Sequence, residues 1–240
     1  MKKKNFQIVI RVTIVLLVML SVFYYAYERG EPTSSGDIVE KEDKENEKVR
    51  IVIDAGHGGK DPGKVGINDA LEKDINLQIS LKLKQFLEEE DVEVILTREE
   101  DTGLYDENAS NKKVQDMKRR VELIEETAPL MTISIHQNSY HEESVHGAQV
   151  FYYTGSEKGK ELAEIIQQSL LNGTDPNNKR SAKANDSYYL LKKTSSPIVI
   201  VECGFLSNSE EAQKLAADYY QEKLAWAIHM GVLQYINSQS

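Results

Sequence analysis

Beyond residue 48, short apolar runs alternate with longer stretches in which apolar positions recur every three or four residues. The runs Val49–Ile53, Val92–Thr97, Met131–Ile135, Gln149–Tyr153 and Ile198–Val201 are rich in β-branched and aromatic side chains and predict strands. Between them, Leu71, Ile75, Ile79, Leu83, Phe86 and Leu87 form one helical stripe, and Val114, Met117, Val121, Ile124 and Ala128 form another. Lys158–Leu171 and Tyr219–Ile236 also carry helical periodicity, the second with Leu224, Ile228, Val232 and Tyr235 in register. Such alternation predicts one α/β domain with a mixed, mainly parallel sheet flanked by helices. The segments "TISI" and "IVIV" are apolar on both faces, as strands covered on both sides require.

The pattern changes upstream. "MKKKNFQIVIRVTIVLLVMLSVFYYAY" opens with lysines and continues into an apolar run from Val12 to Tyr27 that has no polar face. Residues 1–27 therefore read as a signal peptide or an uncleaved signal anchor. No small-x-small cleavage site adjoins the run, and the lysines favour a cytoplasmic start with the rest exported, so the weight falls on an anchor. Residues 28–48 are charged and poor in large apolar side chains, which predicts a flexible tether. The globular domain is expected over residues 49–240, without repeats or a second module.

Bulk properties narrow the function. A formal net charge of −10 argues against a nucleic-acid partner. A single cysteine, Cys203, excludes an internal disulfide and a cysteine-based zinc cage.

In open α/β sheets, sites gather at the carboxyl ends of the strands. The residues just past the buried runs are Ala55, Gly56 and His57 after "IVID", His136 after "TISI", and Glu202 after "IVIV". A zinc hydrolase needs about three nitrogen or oxygen ligands and an open position for water. His57 and His136 suit two of these. Glu72, opening the helix after the glycine loop, is a candidate third; Glu202 is either that ligand or the base that takes a proton from water. Spacing does not separate the two roles. Gly56, Gly58 and Gly59 would let the chain turn sharply and keep bulk away from a metal. A phosphate loop is disfavoured, because "GHGGKDPG" has no hydroxyl after Lys60.

Other candidates fit plainer roles. His141 and His146 read as loop residues and His229 as a helix residue. Arg98 and Arg120 read as structural ion-pair or hydrogen-bond residues, and Cys203 as a small buried side chain. Asn138, two residues past His136, is expected close to the site.

Together, "IVIDAGHGGKDPG", "LEKDINLQIS", "VILTREEDT", "ISIHQNS", "GAQVFYY" and "PIVIVECGFLSN" resemble the zinc-dependent N-acetylmuramoyl-L-alanine amidases of the Amidase_3 type. The likeness spans Val49 to about Ile236, and within the family it is strongest to the small, membrane-tethered, germination-specific amidases of spore formers, which act on cortex peptidoglycan. It implies His57, Glu72 and His136 as zinc ligands and Glu202 as the catalytic glutamate. It further implies a zinc-activated water that hydrolyses the amide between N-acetylmuramic acid and L-alanine of the stem peptide. Ala55 stands where many members carry proline, and Cys203 where valine or leucine is common; neither change removes a functional group. Other readings are a catalytically weak homologue that binds peptidoglycan or a partner, and a zinc peptidase cutting within the stem. An accessory extracytoplasmic protein that raises zinc or substrate affinity is expected, and the resemblance implies a functional link to a peptidoglycan deacetylase.

Overall fold

The computed structural model describes residues 48–239 and, upstream, Leu17, Met19 and Ser21. The segment 1–27 and most of the tether 28–48 therefore lie outside the described residues. Among the described residues, no helix is long and apolar enough to cross a membrane. Residues 48–240 form one unit.

Six strands build a single sheet: β1 (Arg50–Ala55), β2 (Glu93–Leu96), β3 (Met131–Asn138), β4 (Gln149–Tyr153), β5 (Lys183–Asn185) and β6 (Ile198–Phe205). Their spatial order is β2-β1-β3-β6-β4-β5. Only the β4–β6 pair is antiparallel; the other four pairs are parallel. The expected mixed, mainly parallel sheet is thus the one observed. Among the described residues from 48 on, six helices accompany it: α1 (Glu72–Glu89), α2 (Lys112–Thr127), α3 (Glu157–Gly173), α4 (Tyr189–Lys193), α5 (Ser209–Leu215) and α6 (Asp218–Gln239).

Side-chain alternation along the strands divides the core into two layers. Ile51, Ile53, Ile133, Ile135, Val199 and Val201 pack with α1, α3 and α6 residues such as Ile79, Leu162 and Ile228. Val52, Ile198 and Ile200 point the other way, against Ile124 of α2 and Leu190 and Leu191 of α4. This second face then turns polar toward the strand ends. Asp54 of β1 lies beside Ser134 of β3, and His136 of β3 lies beside Glu202 of β6. Two of the expected strand-end residues are therefore inside strands: β3 and β6 stay paired through His136 and Glu202 and finish past them. That places both side chains on one rigid surface.

Candidate metal centre

His57 sits two residues past β1, with φ at 62°, in the left-handed region that a non-glycine residue seldom occupies. Its loop is held from below by two arginines. Arg120 of α2 donates to the carbonyls of Ala55 (3.0 Å) and His57 (2.7 Å). Arg98, just past β2, donates to the carbonyls of Ala55, Gly56 and Lys73. The structural role expected for both is the one they play. Arg120 is almost fully buried and ion-paired with Asp54 at 2.5 Å. Asp54 also accepts from Ser134 and Thr97. Burial, the largest single influence, would raise the Asp54 carboxyl, but the Arg120 charge, His136 and the hydrogen bonds from Ser134 and Arg120 together hold it down at about 2.

Glu72 is the first residue of α1, where the helix dipole favours an anion. Its Oε2 accepts from the Lys64 amide and its Oε1 from the Gln137 amide. The same Oε1 is 3.0 Å from His136 Nδ1 and 3.2 Å from His57 Nε2. Burial opposes ionisation of Glu72, yet contact with the two imidazoles keeps it well below the ordinary carboxylate range. One donor atom from each of His57, Glu72 and His136 fits within a 4.8 Å cluster, which can hold a metal ion.

The chemistry of the donor set supports such an ion. His57 Nδ1 lies 3.0 Å from Asp61 Oδ2, so its N–H is directed there and the Nε2 lone pair faces Glu72. In the neutral ring, that lone pair suits a cation held between it and the carboxylate. The edge of a tetrahedron with zinc–ligand bonds of about 2.0–2.1 Å is roughly 3.4 Å, close to the separations above. Space is also reserved. Gly63 has φ at 68°, and a methyl group on it would lie 2.5 Å from Glu72 Oε2 and 2.8 Å from His57 Cδ2. Gly63→Ala is accordingly expected to weaken metal binding at this cluster at least tenfold while the sheet core remains intact; titration calorimetry and circular dichroism would check both parts.

Glu202 stands apart from the three. It is 7% exposed, and its Oε2 has no hydrogen-bond partner among the described residues. Burial, with the Glu72 charge adding to it, pushes its carboxyl up to about 7, against the opposing pull of His136 and of the Tyr188 hydroxyl. His57, His136 and Glu202 all line one cavity of about 400 Å³. Tyr105, Met117, Tyr188, Tyr189 and Leu190 give it an apolar wall, and Lys60, Lys112 and Lys113 line it with charge.

The structure thus brings His57, Glu72, His136 and Glu202 to one place. Asn138 is not among the residues lining the cavity; its carbonyl accepts from Leu206. His141 and His146 are exposed on the loop after β3, and His229 is buried in α6 against Phe86 and Trp226. Burial pushes the Cys203 thiol up, which removes it as a nucleophile at neutral pH. Sequence reasoning overlooked Asp54, Asp61 and Tyr188.

Residues 51–234 match the family model described as N-acetylmuramoyl-L-alanine amidase. The chain is 38% identical to the germination-specific N-acetylmuramoyl-L-alanine amidase of Bacillus subtilis, over 79% of this chain and 80% of that one. Among solved structures it is similar to the CwlD amidase from Clostridioides difficile in complex with the GerS lipoprotein, with a TM-score of 0.78, 42% identity, and coverage of 80% and 100%. It is also similar to the amidase AmiC2 of Nostoc punctiforme, with a TM-score of 0.69, 34% identity, and coverage of 79% and 97%.

Proposed function

Since the chain belongs to the N-acetylmuramoyl-L-alanine amidase family, we propose that it hydrolyses the muramoyl–alanine amide of peptidoglycan with a zinc ion held by His57, Glu72 and His136, and with Glu202 as the proton carrier. The observation that carries this reading is the His57–Glu72–His136 donor cluster beside a cavity lined by His57, His136 and Glu202, with a buried Glu202 oxygen that has no hydrogen-bond partner among the described residues.

When bound, zinc supplies a Lewis acid that acidifies water and polarises the scissile carbonyl. The protein does the rest by position and proton handling. Asp61 fixes the His57 ring through Nδ1. The Lys64 and Gln137 amides fix the Glu72 carboxylate. Glu202 takes a proton from the attacking water and returns it to the alanine nitrogen as the C–N bond breaks. Burial favours the protonated form of this carboxyl, which suits it to hand the proton on.

The setting follows from relatives and from the amino terminus. Likeness to a germination-specific amidase supports cortex peptidoglycan as the substrate. The lysine-led apolar run of residues 1–27 supports export and anchoring on the outer face of the membrane, with the tether 28–48 giving reach. The relative solved in complex with a lipoprotein supports an accessory extracytoplasmic partner here, and the germination-specific likeness supports a deacetylase that acts on the product.

The test is mass spectrometry of peptidoglycan treated with the purified full chain. Intact stem peptides with free L-alanine amino termini are expected, lost on chelation and restored by zinc. Cleavage inside the stem would replace the amidase assignment of the scissile bond. No cleavage by a folded, zinc-loaded chain would point to a required accessory partner or to the binding homologue.

A further inference from the structure

Glu202 is anchored at one oxygen only. The Tyr188 hydroxyl lies 3.4 Å from Glu202 Oε1, whereas Oε2 is buried with no hydrogen-bond partner among the described residues. That distance is long for an O–H···O bond, as is common before substrate closes a site.

Tyr188 is itself held firmly. Asn185 Oδ1 accepts from the Tyr188 amide at 2.9 Å and from the Ser187 amide at 2.8 Å, so the Asn185–Tyr188 turn cannot swing freely. The ring meets Phe151 edge-on, with centroids 5.6 Å apart and planes at 83°, and packs on the layer formed by Ile198 and Ile200. Those two residues share a strand face with Glu202, so ring and carboxyl are registered by the same element. Burial, reinforced by the Glu202 charge, pushes the hydroxyl up to about 12, which keeps it a donor through the neutral range.

We propose that Tyr188 is a positioning residue for the hydrolysis: its hydroxyl donates to Glu202 Oε1 and thereby presents Oε2 as the atom that receives the proton from water. The two oxygens then have separate duties, one fixed and one reactive. This rests on the reading of Glu202 as the proton carrier.

Tyr188→Phe in the full chain keeps the ring and its Phe151 contact but removes the donor. Steady-state release of L-alanine-terminated stem peptides should show kcat lower by about 10- to 100-fold, the scale of a hydrogen bond to a charged group. KM, zinc affinity by calorimetry and Tm should stay near wild type, which a merely structural role would not predict. In Glu202→Asp the carboxyl is drawn back by one methylene, out of the hydroxyl's reach. Adding Tyr188→Phe to that variant should change kcat less than twofold; losses that multiply would overturn the proposal. A wild-type kcat for Tyr188→Phe beside an inactive Glu202→Gln would overturn the positioning role alone. An active Glu202→Gln would overturn the Glu202 reading and the positioning role together.

Discussion

Glutamine at position 202 should leave a folded, zinc-binding protein whose kcat on peptidoglycan is lower by about 10²–10⁴-fold, the usual share of general acid–base catalysis. Glutamine keeps the shape of glutamate, and its side-chain oxygen still accepts from Tyr188. What disappears is the basic oxygen, Oε2, which in the native chain is buried and without a hydrogen-bond partner among the described residues. The fold has no need of that charge: among the described residues no arginine or lysine pairs with Glu202, and burial already opposes its ionisation. Stability is therefore expected to hold or rise slightly, and the loss should fall on kcat with little change in KM. Product release followed by mass spectrometry, with Tm and zinc affinity measured on the same preparation, checks each part. Activity within tenfold of wild type would remove Glu202 from the reaction.

Separating Glu72 from Glu202 was beyond what spacing allowed, and the structure explains why. Both are acids beside apolar segments near strand ends, and both have nearly buried side chains. They differ in partners. Glu72 is met by two imidazoles and two backbone amides, Glu202 by a single phenol. Such partners come from remote positions and leave no local trace. His57, His136 and Glu202 were legible because each follows a run apolar on both faces, where a polar group is costly unless it has a purpose. Asp54 offered the same signal, since "IVID" ends on it, but its partner Arg120 is 66 positions away.

The strands missed or misjudged have equally physical reasons. β5 has three residues, Lys183–Asn185, and only one of them is apolar. α4 and α5, at five and seven residues, are too short to establish a 3.6-residue period. Nothing local in "YYLL" marks Tyr188: its ring packs against the apolar layer that holds Ile198 and Ile200, and the same residue lines the cavity.

Replacing Arg120 with methionine is expected to destabilise the domain by about 3–5 kcal/mol, the cost of breaking a buried ion pair from one side. For a domain of this size that is a fall in Tm of roughly 6–20 °C. The loss has two origins. Asp54 would keep a buried charge with Ser134 and Thr97 as its remaining hydrogen-bond donors, the His57 carbonyl would lose the Arg120 donor, and the Ala55 carbonyl would keep only the bond from Arg98. The second effect loosens the His57 loop, so zinc affinity should fall as well. The pH dependence identifies the first. In the native chain Asp54 is held at about 2, below its ordinary 3.8, so its contribution is complete above 3.8 and is lost as pH falls toward 2. Without Arg120, burial would carry the folded carboxyl above 3.8, and the variant should gain stability as pH falls through that raised value. The deficit measured by urea unfolding of the metal-free proteins should therefore be smaller at pH 4 than at pH 7. Pairing Arg120→Met with Asp54→Asn should recover part of the deficit at pH 7, because the uncompensated charge is gone. An equal deficit at both pH values would assign the loss to packing and to the released carbonyls, and not to the ion pair.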